Sequence, residues 1–147
     1  MRRADPPAQG ASAEELEKRG DELRAAKNYL DAIDYYNAAT KNTPGNSSIF
    51  NRIGICQLQM RRYKEAKKSF DRAIKADRTH ADAYNNLGVV YYEENNYGKA
   101  IKLYEKAVTV EVIQKYVADY YHLRPADLKA LTAAGVRVDV LLAAPGS

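Results

Sequence analysis

The chain repeats itself every 34 residues. Gly20, Gly54 and Gly88 hold one column; Tyr29, Tyr63 and Tyr97 a second; Ala32, Ala66 and Ala100 a third; Ala39, Ala73 and Ala107 a fourth. Tyr36, Phe70 and Tyr104 keep an aromatic ring in a further column, and Leu16, Phe50 and Tyr84 a large apolar residue in another. For four given columns, composition alone would produce identical triplets with a probability on the order of 10⁻⁸. A unit this short cannot bury an apolar face by itself, so successive units must stack.

Thirty-four residues accommodate two helices and two short turns, which divides the chain into units 13–46, 47–80 and 81–114. In the third unit Tyr84, Leu87, Gly88 and Tyr91 follow i, i+3, i+4, i+7 spacing, one face of a helix. Glu94–Tyr97 reads as a turn, and Ala100, Leu103, Tyr104 and Ala107 mark the facing stripe of a second helix. Asn42-Thr43-Pro44-Gly45-Asn46 breaks the chain between units one and two, and Asp77-Arg78-Thr79-His80 between two and three. The small residues have a steric reading. The glycine column lets the second helix approach, the first alanine column sits at that approach, and the second alanine column admits the next unit.

Composition removes several classes of function. Of 147 residues, 46% are hydrophobic and 29% charged, an ordinary globular balance. No apolar run reaches the ~18 residues of a membrane span. A single cysteine, Cys56, excludes an internal disulfide and a cysteine-based zinc site. His80 and His122 have neither HxxxH nor HxxE spacing, and the glycines fall one per helix pair rather than in a phosphate loop. Cys56 beside the glycine column reads as a packing thiol. The chain is therefore expected to be no enzyme, with no cofactor, no metal and no catalytic residues.

Two stretches, FNRIGICQLQMRRYKEAKKSFDRAIKAD and AYNNLGVVYYEENNYGKAIKLYEKAV, resemble the tetratricopeptide repeat, and the three units cover 102 of the 147 residues. Unit one departs at Arg19, where the family prefers Leu. Unit two departs at Gln57, where Tyr is usual, and at Arg78, where Pro is usual. The resemblance implies an all-α, right-handed α-solenoid of three helix-turn-helix units plus a C-terminal capping helix. It also implies that first helices line a concave groove. The groove positions would be Glu14, Glu17, Lys18, Asp21, Arg24 and Ala25 in unit one, and Ser48, Asn51, Arg52, Ile55, Leu58 and Gln59 in unit two. In unit three they would be Asp82, Asn85, Asn86, Val89, Tyr92 and Glu93.

The function so implied is non-catalytic binding of a partner protein's peptide segment or helix in that groove. Asn51, Asn85 and Asn86 would pair with its backbone, since an amide carries both donors and acceptor. Ile55, Val89 and Tyr92 would take apolar side chains, and the acidic end formed by Glu14, Glu17 and Asp21 would favour a basic residue. Family members that clamp a chaperone tail place Lys, Asn and Arg at five positions that here hold Glu17, Asp21, Arg52, Asp82 and Asn86. Three acids facing a tail carboxylate repel it, so no such clamp is expected.

Charge offers an alternative. Residues 61–78 carry eight bases against three acids, whereas 14–34 carry seven acids against four bases. Acidic unit one could meet basic unit two of a second copy in a self-assembling scaffold. The basic face could also take an acidic partner or, less readily, nucleic acid.

The ends lie outside the repeat. Residues 1–12 are rich in Pro and Ala, with no apolar core, and read as a flexible leader rather than a signal peptide. The expectation is a cytoplasmic protein, although such stretches also occur after cleaved signals. Residues 115–142 are expected to cap the last unit, beginning with a helix over Glu111–His122, and 143–147 to fray. Within this segment, VIQKYVADYYHLRPADLKA resembles the opening of the DNA-binding domain of the replication initiator DnaA. The remaining residues, LTAAGVRVDVLLAAPGS, supply no recognition helix, so DNA reading is not expected.

Overall fold

The structure, a computed structural model, describes residues 3–121 together with Arg124 and Ala126. Six helices occur in it: α1 (Ala13–Ala25), α2 (Tyr29–Asn42), α3 (Ser47–Gln59), α4 (Tyr63–Ala76), α5 (Ala81–Glu93) and α6 (Tyr97–Tyr121). No strand is present among the described residues. The helices pack as three hairpins, α1 with α2, α3 with α4 and α5 with α6, and α3 also packs on α2. The chain forms two compact units, Met1–Ala76 and Asp77–Ser147.

Local chemistry starts and stops these helices. Ser12 Oγ accepts from the Glu15 N–H at 3.2 Å, and Asn46 Oδ1 from the Ile49 N–H at 3.3 Å, each satisfying a donor in a first turn. The first helix of every hairpin ends in one motif. Lys27, Arg61 and Asn95, again 34 apart, adopt left-handed backbone with φ of 65°, 60° and 64°. Their N–H groups bond back to the carbonyls of Arg24, Leu58 and Tyr92, and the next residues' N–H groups to those of Leu23, Gln57 and Tyr91. This pairing closes the orphan carbonyls at a helix end and usually employs glycine. Without a glycine there, the repeat at this column is invisible to a search for turn residues.

The glycine column has a more specific role than expected. A Cβ at Gly20 would stand 2.7 Å from the Tyr36 ring, one at Gly54 2.5 Å from the Phe70 ring, and one at Gly88 2.7 Å from the Tyr104 ring. The aromatic column, rather than the alanine column, therefore fills the space the glycines leave. The alanines Ala32, Ala66, Ala73 and Ala39 are fully buried, with Ala100 and Ala107 nearly so. Tyr36 and Phe70 are fully buried as well, each worth roughly 2–3 kcal/mol of apolar burial.

Two of the departures from the family pattern, Gln57 and Arg19, acquire side-chain partners. Gln57 accepts a 2.6 Å hydrogen bond from the buried Ser69 hydroxyl. Arg19 bonds to Glu22 at 3.2 Å. The Arg78 carbonyl accepts from the Tyr84 hydroxyl at 3.0 Å, beside a turn in which Asp77 accepts from the Thr79 N–H. Arg72 lies 4.3 Å over the Phe50 ring, and Lys106, one repeat later, 6.0 Å over Tyr84.

Both ends differ from the sequence expectation. Unit three was expected to end at 114 with a separate cap helix from about 111, but α6 runs unbroken to Tyr121 over 25 residues. No Gly or Pro interrupts the sequence between Gly98 and Pro125, so nothing stops the helix where the repeat stops. Its extension returns to its own unit, where Gln114 donates to the Thr79 carbonyl at 3.2 Å. Except for Arg124 and Ala126, the remainder of the expected cap and the frayed tail, 122–147, lies outside the described residues, as does the second half of the DnaA-like stretch. At the other end, the leader is not a free tail from residue 3 onward. Arg3 pairs with Asp31 and Asp34, the Ala4 N–H bonds to Asp31, the Tyr35 hydroxyl to the Asp5 carbonyl, and Asn42 to the Ala11 carbonyl. Helix α2 holds it through polar contacts that composition does not reveal.

Candidate functional site

In the first unit, α1 and α3 frame an open cleft of about 570 Å³, lined by Glu14, Glu17, Lys18, Asp21, Glu22, Ala25 and Arg52. Three predicted site residues converge here. Arg52 donates from Nη1 to Glu17 Oε1 at 3.2 Å, and its Nε stands 3.8 Å from Asp21 Oδ1. Asp21 also accepts a 2.5 Å bond from the Tyr36 hydroxyl, which in turn accepts from Arg24 Nε at 3.1 Å. Burial and the bond to Asp21 hold the Tyr36 phenol far above its usual range. The Tyr36–Arg24 relay escaped the sequence reading, which took Tyr36 only as a member of the aromatic column. Its signal was the hydroxyl, absent from Phe70 at the same register.

Part of the charge in this cleft is paired internally. Of the three acids assigned to it, Glu17 and Asp21 are ion-paired with Arg52, and Glu14 is exposed in the first turn of α1. Across hairpin one, Glu17, Asp21, Glu22, Asp31 and Asp34 all have cationic partners within Met1–Ala76. Asn51, expected to hold a peptide backbone, is only 7% exposed. Ile55, further along α3, is half-buried.

In the second unit the assigned residues share one face of α5. Asn85 is exposed, Asn86 and Val89 are half-buried, and Tyr92 is 53% exposed. Tyr92 meets Tyr97 edge to face, with ring centroids 5.3 Å apart and planes at 62°. The Tyr97 hydroxyl donates to Asn95 Oδ1 at 3.1 Å, which ties the ring pair to the turn after α5. An exposed, pre-paired aromatic of this kind offers rigid contact area at small entropic cost.

The repeat-packing residues Gly20, Gly54 and Gly88 meet the aromatic column, and the two alanine columns are buried. Cys56 is fully buried, and burial pushes its thiol up to about 12, so it stays protonated at neutral pH. Among the described residues no group of His, Cys, Asp and Glu is placed to hold a metal ion. None of the described helices is long and apolar enough to cross a membrane.

A family model described as "Tetratricopeptide repeat" matches residues 17–66 and again 54–114. Solved structures agree in fold. One is the second TPR of Spaghetti (RPAP3) bound to the HSP90 peptide SRMEEVD. It has 20% identity and a TM-score of 0.64, over 67% of this chain and 92% of that one. Another is MamA, at 20% identity and TM-score 0.67, over 71% of this chain and 61% of that one. A third is the Arabidopsis OM64 TPR domain, at 19% and 0.65, over 68% and 83%. At these identities the likeness is one of fold. No curated protein sequence matches the chain.

Proposed function

The chain belongs to the tetratricopeptide repeat family, a protein-interaction fold, and from that premise we propose that it binds an extended or helical segment of another protein on its first helices. The working surfaces are the α1–α3 cleft in the first unit and the Asn85–Tyr92 face of α5 in the second. The observation that carries this reading is a division of labour within each first helix. The glycine stripe is spent against the aromatic of the partner helix, while Arg52, Asn85, Val89 and Tyr92 keep accessible surface that hairpin packing does not use.

The chemistry of the two surfaces differs. Arg52 and Glu17 form a half-buried pair that a ligand carboxylate or cation could enter by exchanging partners. The α5 face combines amides for a peptide backbone with Val89 and Tyr92 for apolar side chains. Two of the solved TPR structures hold the HSP90 peptide SRMEEVD. For the present chain we infer a different ligand. Glu17, Asp21 and Asp82 stand where a tail clamp needs cations or amides, and Arg52 is already bonded to Glu17.

The test is a paired capture from the source lysate, read by mass spectrometry. The baits are the native chain, an Asn85→Ala/Asn86→Ala/Tyr92→Ala variant and a Glu17→Ala/Arg52→Ala variant, matched for helicity. A protein retained by the native chain and lost by either variant identifies both partner and surface. Identical captures from all three would overturn the assignment. The self-assembly alternative draws on the acids of hairpin one, and five of its seven are ion-paired within Met1–Ala76. A solution mass that is monomeric at both low and high salt would remove it.

A further inference from the structure

The leader's contacts are ordered along the chain. Arg3 Nε bonds to Asp31 Oδ1, and its Nη2 reaches Asp34 Oδ2 at 2.5 Å. The Ala4 N–H donates to Asp31 Oδ2 at 3.0 Å, and the Tyr35 hydroxyl donates to the Asp5 carbonyl at 3.0 Å. Asn42 Nδ2 donates to the Ala11 carbonyl at 3.3 Å. The order of contacts along the leader is the order along the helix, so the segment runs parallel to α2. Only one leader side chain, Arg3, takes part in these bonds; the other groups are backbone N–H and C=O, which any residue offers.

The helix side of the contact is peculiar to hairpin one. The positions of Asp31, Asp34, Tyr35 and Asn42 are occupied one repeat later by Glu65, Lys68, Ser69 and Ala76, and two repeats later by Lys99, Lys102, Leu103 and Val110. Repeat packing therefore does not demand these four residues. Two carboxylates one turn apart match the two edges of a planar guanidinium, which an ammonium cannot span. With the leader in place the Asp31 side chain is 8% exposed, and the carboxylate meets a cation, Arg3, and a donor, the Ala4 N–H.

We propose that the outer face of α2 is a recognition site for an extended, arginine-bearing segment, and that residues 3–11 occupy it in cis. The site reads one arginine through Asp31 and Asp34 and the adjoining backbone through Asp31, Tyr35 and Asn42. A tethered leader has an effective concentration in the millimolar range, so a free segment competes only when the leader is weakened or the segment is abundant.

The probe is an N-acetylated peptide copying residues 3–12, titrated to about 1 mM into the isotopically labelled full chain and read by amide shifts. In a chain carrying Arg3→Glu, whose own leader is released, the peptide shifts the amides of Asp31, Asp34, Tyr35 and Asn42 saturably. The unaltered chain responds at least about tenfold more weakly, because its site is filled. A peptide with Ala in place of Arg3 shifts nothing in either chain. Arg3 is more than half exposed, so Arg3→Glu leaves the helices intact, which circular dichroism verifies. Absence of shifts at those amides in the Arg3→Glu chain overturns the site. Equal shifts by the Ala peptide overturn arginine recognition, and equal affinity of the two chains overturns occupation in cis. An Asp31→Asn/Asp34→Asn chain that still binds the arginine peptide as well would also overturn it.

Discussion

Helices α2 and α6 hold the same place in the first and last hairpins, yet they end in different surroundings. The leader bonds to one side of α2, and α3 packs on it as well. On α2, Ile33 and Thr40 are half-buried. On α6 the same register positions, Ile101 and Val108, are 55% and 58% exposed, and Tyr97 and Val112 on the same line are 52% and 60% exposed. Among the described residues α5 is the one element that packs extensively on α6. The aromatic column follows suit: Tyr36 is fully buried, whereas Tyr104 is half-buried. The internal alanines barely differ, at 0% for Ala39 and 6% for Ala107. The lesson is that a hairpin's inner seam is secured by its own sequence, whereas its flanks are secured only by whatever packs beside them.

The largest expected effect tests the aromatic column. Phe70→Ala should destabilise by about 3–5 kcal/mol and Tyr104→Ala by about half as much, measured by urea unfolding. Equal losses would mean that burial of the ring does not decide its worth. Next comes the glycine facing each ring. Gly54→Ala places a methyl 2.5 Å from the buried Phe70 ring and should cost about 2–3 kcal/mol. Gly88→Ala should cost nearer 1 kcal/mol, since the half-exposed Tyr104 ring can swing away.

The flank itself is tested by a polar substitution. Ile33→Ser should cost about 1–2 kcal/mol, and Ile101→Ser no more than about 0.5 kcal/mol. A large loss at Ile101 would show that α6 is covered after all. The leader contact adds a pH dependence on the α2 side alone. The Ala4 N–H and the Arg3 guanidinium hold the Asp31 carboxyl below its ordinary value of 3.8. Because the folded value is the lower one, this stabilisation is complete at neutral pH. It fades as pH falls below 3.8 through the folded value. The gap in Tm between the native chain and Asp31→Asn should therefore be constant from pH 7 to about 5 and close in stronger acid. A gap that widens in acid would refute the sign. The smallest effect lies at the helix ends: Lys27→Gly and Arg61→Gly should stabilise by about 0.5 kcal/mol, relieving left-handed backbone, with less gain at Asn95→Gly.

Much of the fold was legible because its seam is periodic. Four identity columns at 34 residues announced three hairpins, and the breaks between hairpins, after α2 and after α4, fall at the segments 42–46 and 77–80 that residue type indicated. The left-handed turn at Lys27, Arg61 and Asn95 was not legible, because hydrogen bonding rather than residue type defines it. Of the candidate site, Glu17, Asp21 and Arg52 do come together, but their mutual pairing was missed. Residues 31 and 35 positions apart in the chain gave no local signal. The same reason hid the leader, whose partners on α2 lie 27 to 31 positions away.

What the sequence by itself determined is the hairpin: its length, its glycine–aromatic seam and its family, since these rest on contacts repeated with one period. The tertiary structure alone decided which charges are spent and which faces are covered. Arg52 pairs with two of the four acids of the cleft, Arg3 pairs with two acids of α2, and α6 leaves an apolar line exposed among the described residues. Ion pairing and burial are properties of distance in space, and each of these depends on side chains that the periodic pattern leaves free to vary.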